Sequence, residues 1–467
     1  MPRRCLIVGL DCIGPEILRI DVSCNLPNLH CLVERGVAGP LKSTVPPITV
    51  PAWTSMLTGR DPGELGVYGF RNRRSFAYGD LVYASSSVRH PRVWDYVGKA
   101  GGHSIVVGVP QTWPPPPING VLVSGFEALK RGKEGTAFTW PEAVSGEVKA
   151  ITDEYIFDVE DFRNCPRELV LRQIYEMTGK RFRLMEHFLT TRPWDFAILC
   201  EIGSDRVHHC FWSHHDPTHP RHDAASPYRA AIRQYYEFLD DGLNRLVAAA
   251  GEDAAVLVVS DHGAQPMYGG VCINDVLREH GWLYLKDAPR TQVPLAPEMV
   301  DWRKTRAWGD GGYYGRIFLN IEGREPCGTI PAKCRDDARH ELSALLAKVQ
   351  LDGKGLLENE VVWPENAYRR VLGIAPDLLV FFGGLKWRSI GSVGHERNWL
   401  AGNDTGVDEA NHSSWGFYTL SAAGCPNGIR RPASILDIAP TVLSLMGLKV
   451  PSDLLGRNLM ADLRTIS

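Results

Sequence analysis

Short runs of apolar residues recur along the chain and end in glycine or a polar residue. The first run, Cys5–Leu10, is followed directly by Asp11, which is typical of a strand buried on both faces of a parallel sheet. Later runs have the same form. The predicted further strands are Ser104–Val109, Phe196–Glu201, Ala255–Ser260, Asp377–Phe382 and Gly416–Ser421.

Stretches with helical spacing separate most of these runs. The predicted helices are Asn28–Arg35, Ala52–Leu57, Arg92–Ala100, Arg167–Thr190, Pro227–Ala250, Arg335–Val349 and Ile435–Leu445. This alternation predicts an α/β fold, with helices on both faces of a mostly parallel sheet. Residues 127–165 and 267–334 do not follow the alternation. We therefore predict a core of residues 1–126, 166–266 and 335–467, an insertion at 127–165 and an inserted cap or lid at 267–334.

Polar residues that directly follow the apolar runs are candidates for chemistry. Ligands in open α/β sheets bind beyond the carboxyl ends of the strands. Asp11 follows the first strand, Asp205 follows the strand that ends near Glu201, and the pair Asp261-His262 follows the strand Ala255–Ser260. These side chains are predicted to meet at one edge of the sheet.

Seven positions form a coherent chemical set: Asp11, Thr49, Asp205, His209, Asp261, His262 and His412. Carboxylates with imidazoles are ordinary ligands of zinc and also suit manganese or iron. Four residues separate Asp205 from His209, so on a helix both side chains can reach one ion. A second ion near the Asp261-His262 pair would complete a two-metal clamp for phosphoryl transfer.

Thr49 is the candidate nucleophile, because a hydroxyl beside a metal ion loses its proton more readily. An alternative role for Thr49 is to cap the helix that is predicted to begin near Ala52. The two roles are compatible, since the positive end of a helix dipole would favour the developing negative charge.

Composition narrows the class of substrate. The chain has 467 residues, 44% of them apolar, and a formal net charge of -3 without long like-charge runs. This charge does not indicate the basic surface that binding to a nucleic-acid polymer or an anionic membrane needs, so a small molecule is the expected partner. The eleven cysteines form no CxxC pair, and the first apolar run is too short for a signal peptide or membrane span. We therefore expect a cytoplasmic protein with reduced thiols; the sequence does not indicate its oligomeric state.

Five segments carry a resemblance to a known family. They are GLD at Gly9–Asp11, PPITVPAWTSMLTG at Pro46–Gly59, SDRVHHCFW at Ser204–Trp212, VVSDHG at Val258–Gly263 and DEANHSSWGF at Asp408–Phe417. In this order they resemble the motifs of the type I phosphodiesterase/nucleotide pyrophosphatase branch of the alkaline phosphatase superfamily. More closely, the chain is similar to the bacterial predicted phosphohydrolases and phosphomutases of that superfamily.

The resemblance implies an alkaline-phosphatase-like core and two metal ions, usually zinc, with manganese or iron in some relatives. It assigns one ion to Asp205, His209 and His412. It assigns the other ion to Asp11, Thr49, Asp261 and His262. Thr49 would then form a phospho-threonine intermediate that water hydrolyses.

The segment Gly66–Asn72 departs from the pattern of the nucleotide pyrophosphatases, which place an asparagine where Phe70 stands here. Phe70, Arg71 and Asn72 are candidate substrate-binding residues, with Arg71, Asn72 or the Val50 N–H as possible partners of a phosphate oxygen. An apolar wall favours a phosphodiester or nucleotide-like substrate. The alternatives are a phosphomonoesterase, a phosphomutase and, more remotely, a non-catalytic metal- or phosphate-binding protein.

Overall fold

The computed structural model describes residues 4–19, 25–84, 88–128 and 137–461. Its strands are β1 Cys5–Leu10, β2 Val37–Lys42, β3 Arg71–Arg73, β4 Leu81–Tyr83, β5 Ser104–Val107, β6 Gly120–Val123, β7 Thr139–Trp140, β8 Phe196–Glu201, β9 Ala255–Val259, β10 Gly263–Pro266, β11 Gly269–Cys272, β12 Val293–Pro294, β13 Ala307–Asp310, β14 Gly315–Leu319, β15 Lys348–Leu351, β16 Gly355–Val362, β17 Leu378–Phe382, β18 Trp387–Ile390, β19 Ser392–Val393, β20 Trp399–Leu400, β21 Ala410–Ser413, β22 Trp415–Ser421, β23 Ile429–Arg430 and β24 Ala433–Ser434.

The α-helices are α1 Pro27–Glu34, α2 Thr49–Thr58, α3 Pro62–Leu65, α4 Val93–Lys99, α5 Val144–Thr152, α6 Arg167–Thr191, α7 Gly203–His215, α8 Ala231–Ala250, α9 Ile273–Glu279, α10 Arg335–Ala347, α11 Pro364–Ala367 and α12 Ile438–Leu445. Short 3-10 turns lie at Pro15–Leu18, Pro297–Met299, Ala332–Cys334 and Ile435–Asp437. The cysteines that the structure describes are all free thiols.

The main sheet has the order β23-β2-β22-β9-β1-β8-β5-β6-β7, with β24 also paired to β2. At its centre, β1 runs parallel to β8 and β9, and β5 runs parallel to β8 and β6. Strand β22 is antiparallel to both of its neighbours. Every side chain of β1 and β8 is buried, and helices α6, α7 and α8 pack together in the same core. The predicted α/β class with a mostly parallel sheet is confirmed.

A second core forms beside the main sheet. It is built on the antiparallel sheet β13-β14-β17-β16-β15, the sheet β18-β11-β20 and helices α9 and α10. The predicted strand Asp377–Phe382 is β17 and belongs to this second core, because an apolar run does not specify the sheet that it joins.

The extent of the inserted regions stays a prediction. Residues 335–400 contribute to the second core, so we propose that the inserted unit continues beyond 334 to β20. Within the segment 127–165, β7 pairs with the edge of the main sheet and α5 packs on α6. We propose that the described residues of this segment extend the main core.

Helix α2 begins at Thr49 rather than near Ala52. Its N-cap is Ile48, and no side chain caps it. The predicted capping role of Thr49 is therefore wrong: Thr49 occupies the first helical position, and its hydroxyl points elsewhere. Every residue of α2 is buried, so the main core holds the position of Thr49.

Gly9 allows α2 to approach the sheet. A methyl group at Gly9 would lie 2.3 Å from Cη2 of Trp53 and 3.1 Å from the Leu199 carbonyl oxygen. Trp53 is fully buried, and its indole N–H donates to Asp11 Oδ2 at 2.8 Å. The absence of a side chain at Gly9 thus lets an α2 residue reach the end of β1.

We expect Gly9→Ala to lower the free energy of unfolding by about 1–3 kcal/mol, since overpacking a filled core forces side chains to shift. Urea denaturation measures the change. Gly146→Ala is the control: its added methyl group meets nothing within 4 Å inside helix α5, so it should be neutral or slightly stabilising. Equal stability of Gly9→Ala and the wild type would contradict the close approach.

Candidate metal centre

Three buried carboxylates meet at one end of the main sheet. The register pairs Leu10 with Glu201 and Gly9 with Val259, so β1, β8 and β9 end at the same level. Asp11 comes directly after β1, Asp261 is the second residue after β9, and Asp205 lies in the first turn of α7 after β8. All three are almost inaccessible to water.

Three histidines, His209, His262 and His412, face these carboxylates with their Nε2 atoms, while their Nδ1 atoms have other partners. Nδ1 of His412 donates to the Pro47 carbonyl oxygen at 2.9 Å, and Nδ1 of His262 lies 3.3 Å from the Gly263 carbonyl oxygen. His209 Nδ1 is 2.7 Å from Asp408 Oδ1. Partners at Nδ1 fix the rings and leave Nε2 available as a ligand atom.

The ligand atoms fall into two adjoining groups. In one group, His262 Nε2 lies 3.2 Å from Asp261 Oδ2 and 3.6 Å from Asp11 Oδ1. In the other group, Asp205 Oδ1 lies 3.2 Å from His209 Nε2 and 3.5 Å from His412 Nε2.

The rings of His262 and His412 join the two groups, because they stack with centroids 3.8 Å apart. Thr49 lies beside the first group, with its Oγ1 3.3 Å from His262 Nε2. The structure thus brings together all seven residues of the predicted set.

The electrostatics of the first group are unfavourable without a cation. Burial and repulsion from Asp205 raise the pKa of Asp11 well above its ordinary value, and burial and repulsion from Asp11 do the same to the pKa of Asp261. Burial lowers the pKa of both His262 and His412, which favours the uncharged form of each ring. Neutral imidazoles beside buried carboxylates suit a divalent metal ion.

Three buried atoms in the centre have no hydrogen-bond partner among the described residues: Asp11 Oδ1, Asp261 Oδ2 and His412 Nε2. Orphaned polar atoms of this kind are costly in a folded protein unless a ligand satisfies them. The donor set of carboxylate oxygens and imidazole nitrogens fits zinc, manganese or iron.

Asp205 and His209 differ from the first group. Although burial opposes ionisation, His209 and Arg206 hold the pKa of Asp205 well below its ordinary value. Burial also opposes the charge on His209, but Tyr313 and the two carboxylates beside it raise its pKa. Positive charge is therefore favoured between Asp205 and Asp408, where His209 lies.

Sequence reasoning missed two residues of the centre. The Cys12 thiol lies within 4.8 Å of ligand atoms of Asp205, His262 and His412, and its backbone has a φ of 66°. Its position directly after Asp11 was the available signal. Asp408, which orients His209, stands at the start of the DEANH segment but was not singled out.

A cavity of about 300 Å³ opens next to Thr49. Ile48 and Val50 line it on either side of the threonine, and Tyr313, whose ring stacks 4.1 Å from His412, also borders it. Val50 is the second residue of α2, where a backbone N–H has no partner within the helix.

Two of the three predicted substrate-binding residues line this cavity. Phe70 packs edge-to-face on Phe126 at 6.0 Å, and both rings face the cavity with Arg71. Asn72 is not part of the wall. Its side chain accepts from the Tyr68 N–H at 2.7 Å and donates to the Gly69 carbonyl oxygen at 3.1 Å, so it stabilises the turn that presents Phe70 and Arg71.

Solved structures with this fold include nucleotide- and phosphonate-processing enzymes. Human ectonucleotide pyrophosphatase/phosphodiesterase 5 aligns over 99% of both chains with a TM-score of 0.59 and 11% identity. An inactive murine form of that protein, in complex with AMP, aligns over 99% of both chains with a TM-score of 0.56 and 12% identity. Phosphonoacetate hydrolase from Sinorhizobium meliloti 1021, in complex with phosphonoformate, aligns over 95% of this chain and 96% of its own, with a TM-score of 0.59 and 17% identity. At such identities the likeness establishes the fold.

Sequence comparison gives the family. A search of curated proteins finds no match. Among the described residues, none of the helices has the length and apolarity needed to cross a membrane. The family described as type I phosphodiesterase / nucleotide pyrophosphatase matches residues 5–414. The chain therefore belongs to this family of metal-dependent phosphoric ester hydrolases within the alkaline phosphatase superfamily.

Proposed function

We propose that the protein hydrolyses phosphodiesters of small, nucleotide-like molecules, with two divalent metal ions and Thr49 as the nucleophile. The observation that carries the proposal is the position of the Thr49 hydroxyl. It lies 3.3 Å from His262 Nε2, beside a ring that stacks on the second ligand group, and between two residues that line the cavity.

The proposed ligands of one ion are Asp205, His209 and His412, and those of the other are Asp11, Thr49, Asp261 and His262. Zinc is the proposed metal, with manganese or iron as alternatives, because the donors are nitrogen and oxygen. Such ions supply charge neutralisation at the attacking and leaving oxygens and lower the pKa of a bound hydroxyl.

The protein's own residues would orient the reaction. Thr49 Oγ1 would attack phosphorus and form a phospho-threonine, while the bond to the leaving oxygen breaks. Water would then cleave the phospho-threonine and restore the hydroxyl. The N-terminus of α2 favours negative charge at Thr49, and the Val50 N–H can donate to a phosphoryl oxygen.

A diester is proposed over a monoester because of the cavity wall. Phe70 and Phe126 would cover a second ester substituent, which a phosphodiester has and a monoester lacks. Phe70 and Arg71 are the proposed substrate-binding residues. The AMP complex of the murine protein is consistent with a nucleotide-like substituent.

Thr49→Ala should lower kcat on bis-p-nitrophenyl phosphate by about 10³-fold or more, because it removes the nucleophile, itself one proposed metal ligand, and leaves the other proposed ligands in place. Release of p-nitrophenol with added zinc or manganese measures the effect, and p-nitrophenyl phosphate tests the monoester alternative. Thr49→Ser is the matched control and should keep part of the activity. Full activity of Thr49→Ala would contradict the proposed mechanism.

Metal removal should reveal the repulsion between Asp11 and Asp261. The pKa of the Asp261 carboxyl is raised on folding, so this group holds more protons in the folded than in the unfolded chain. The free energy of unfolding therefore falls as the pH rises above the ordinary pKa of an aspartate. At neutral pH we expect metal-free Asp261→Asn to be more stable than the metal-free wild type by about 1–3 kcal/mol.

Urea denaturation with and without a chelator measures this difference. Added zinc should reverse the order, because the wild type gains a ligand that the variant lacks. If the wild type is the more stable protein both with and without the chelator, repulsion between Asp11 and Asp261 does not destabilise the metal-free protein, and the argument for a cation between them is wrong.

A further inference from the structure

Five guanidinium groups line the cavity beside Thr49, together with the carboxylates of Glu127, Asp158 and Asp310. The five arginines are Arg71, Arg163, Arg206, Arg316 and Arg388. Structural ion pairs account for some of them. Arg206 bonds Asp158 at 2.7 and 2.8 Å, and Arg316 bonds Asp310 at 2.5 Å.

Arg163 and Arg388 share one carboxylate. Arg163 lies 3.2 Å and Arg388 2.7 Å from Asp408 Oδ2, while the other oxygen of Asp408 binds His209. The charge of Asp408 is thus divided among three cationic or donor groups. This part of the cavity wall favours an additional anion.

Arg71 has no carboxylate partner among the described residues. Its side chain is exposed, Nη2 lies 2.6 Å from the Tyr83 hydroxyl, and its guanidinium stacks 4.7 Å from the centroid of that ring. Arg316 supports the backbone at this point by donating to the Arg71 carbonyl oxygen at 2.6 Å. Arg71 is therefore held in place at the cavity with donors left over for a ligand.

The cavity combines this cation with an apolar wall. Phe70, Phe126 and Tyr313 offer ring faces and edges, whereas Arg71 offers a planar fork that matches carboxylate and phosphate oxygens. A ligand that satisfies both parts has a ring or other apolar body and a terminal anionic group.

Resting on the proposed function, we propose that the preferred substrates are phosphodiesters whose cavity-bound substituent carries a second anionic group, bound by Arg71. The shared chemistry is a carboxylate or a phosphate monoester on an apolar body. The phosphoryl group to be cleaved lies at Thr49, and the second anion lies at Arg71.

Three p-nitrophenyl diesters test the proposal: p-nitrophenyl phenyl phosphate and two analogues with a carboxylate or a phosphate monoester on the phenyl ring. We expect kcat/KM to be about tenfold or more higher for at least one anionic analogue, as a charge-assisted hydrogen bond would give. The preference should shrink as salt is added. The better analogue distinguishes carboxylate from phosphate recognition.

Arg71→Gln should bring the ratio of kcat/KM values, anionic over neutral, close to one. Arg74→Gln is the matched control, because Arg74 lies in the same hairpin, is exposed and pairs with Asp80 outside the cavity. It should keep the wild-type ratio. A wild type without preference, or a preference that survives Arg71→Gln, would overturn the proposal.

A binding measurement separates this proposal from the proposed reaction. In zinc-loaded Thr49→Ala, calorimetry compares phenylphosphonate with its carboxylated and phosphorylated analogues. Tighter binding of an anionic analogue that Arg71→Gln abolishes supports the second-anion site even if none of the diesters is hydrolysed. Turnover that depends on Thr49, together with equal binding of all three phosphonates, would leave the hydrolase intact and reject the second-anion site.

Discussion

The concentration of negative charge at the end of the main sheet is the constraint on which the rest of the site depends. Parallel strands that end in register necessarily bring the residues after them together. Here those residues include Asp11 and Asp261, with Asp205 in the next turn, and water is excluded from all three. Such an arrangement needs compensating positive charge or bound protons, because desolvated like charges repel strongly.

The protein compensates the negative charge around Asp205 with its own cationic groups and leaves the negative charge around Asp11 largely uncompensated. Around Asp205, Arg206 and His209 supply positive charge. Around Asp11, the contacts are His262, whose pKa is lowered by burial, and the indole N–H of Trp53, so little positive charge is supplied there. The asymmetry explains why the pKa of Asp205 is lowered whereas the pKa of Asp11 is raised. The uncompensated negative charge around Asp11 is the strongest physical argument for a metal ion in this centre.

Much of the fold, and the meeting of the seven candidate residues, could be predicted from the sequence, because both depend on local patterns. An apolar run followed by an acidic residue can be recognised in the sequence itself, as at Cys5–Asp11. The four-residue spacing of Asp205 and His209 on α7 is equally local. The sheet that β17 joins and the start of α2 could not be predicted, since tertiary contacts decide both. The guanidinium cluster was also hidden, because its arginines come from segments far apart in the chain and only folding brings them to one cavity.

Asp408 links the main core and the second core of the molecule. Its carboxylate contacts His209 in the candidate metal centre and, at the same time, Arg388 on β18 of the second core. If a shift of Arg388 towards the cavity altered the affinity of His209 for an ion in the proposed site, binding of that ion would alter the affinity of the cavity by the same factor, because coupling between binding sites is reciprocal. A single side chain can in this way make occupancy of the substrate pocket and occupancy of the metal centre mutually dependent.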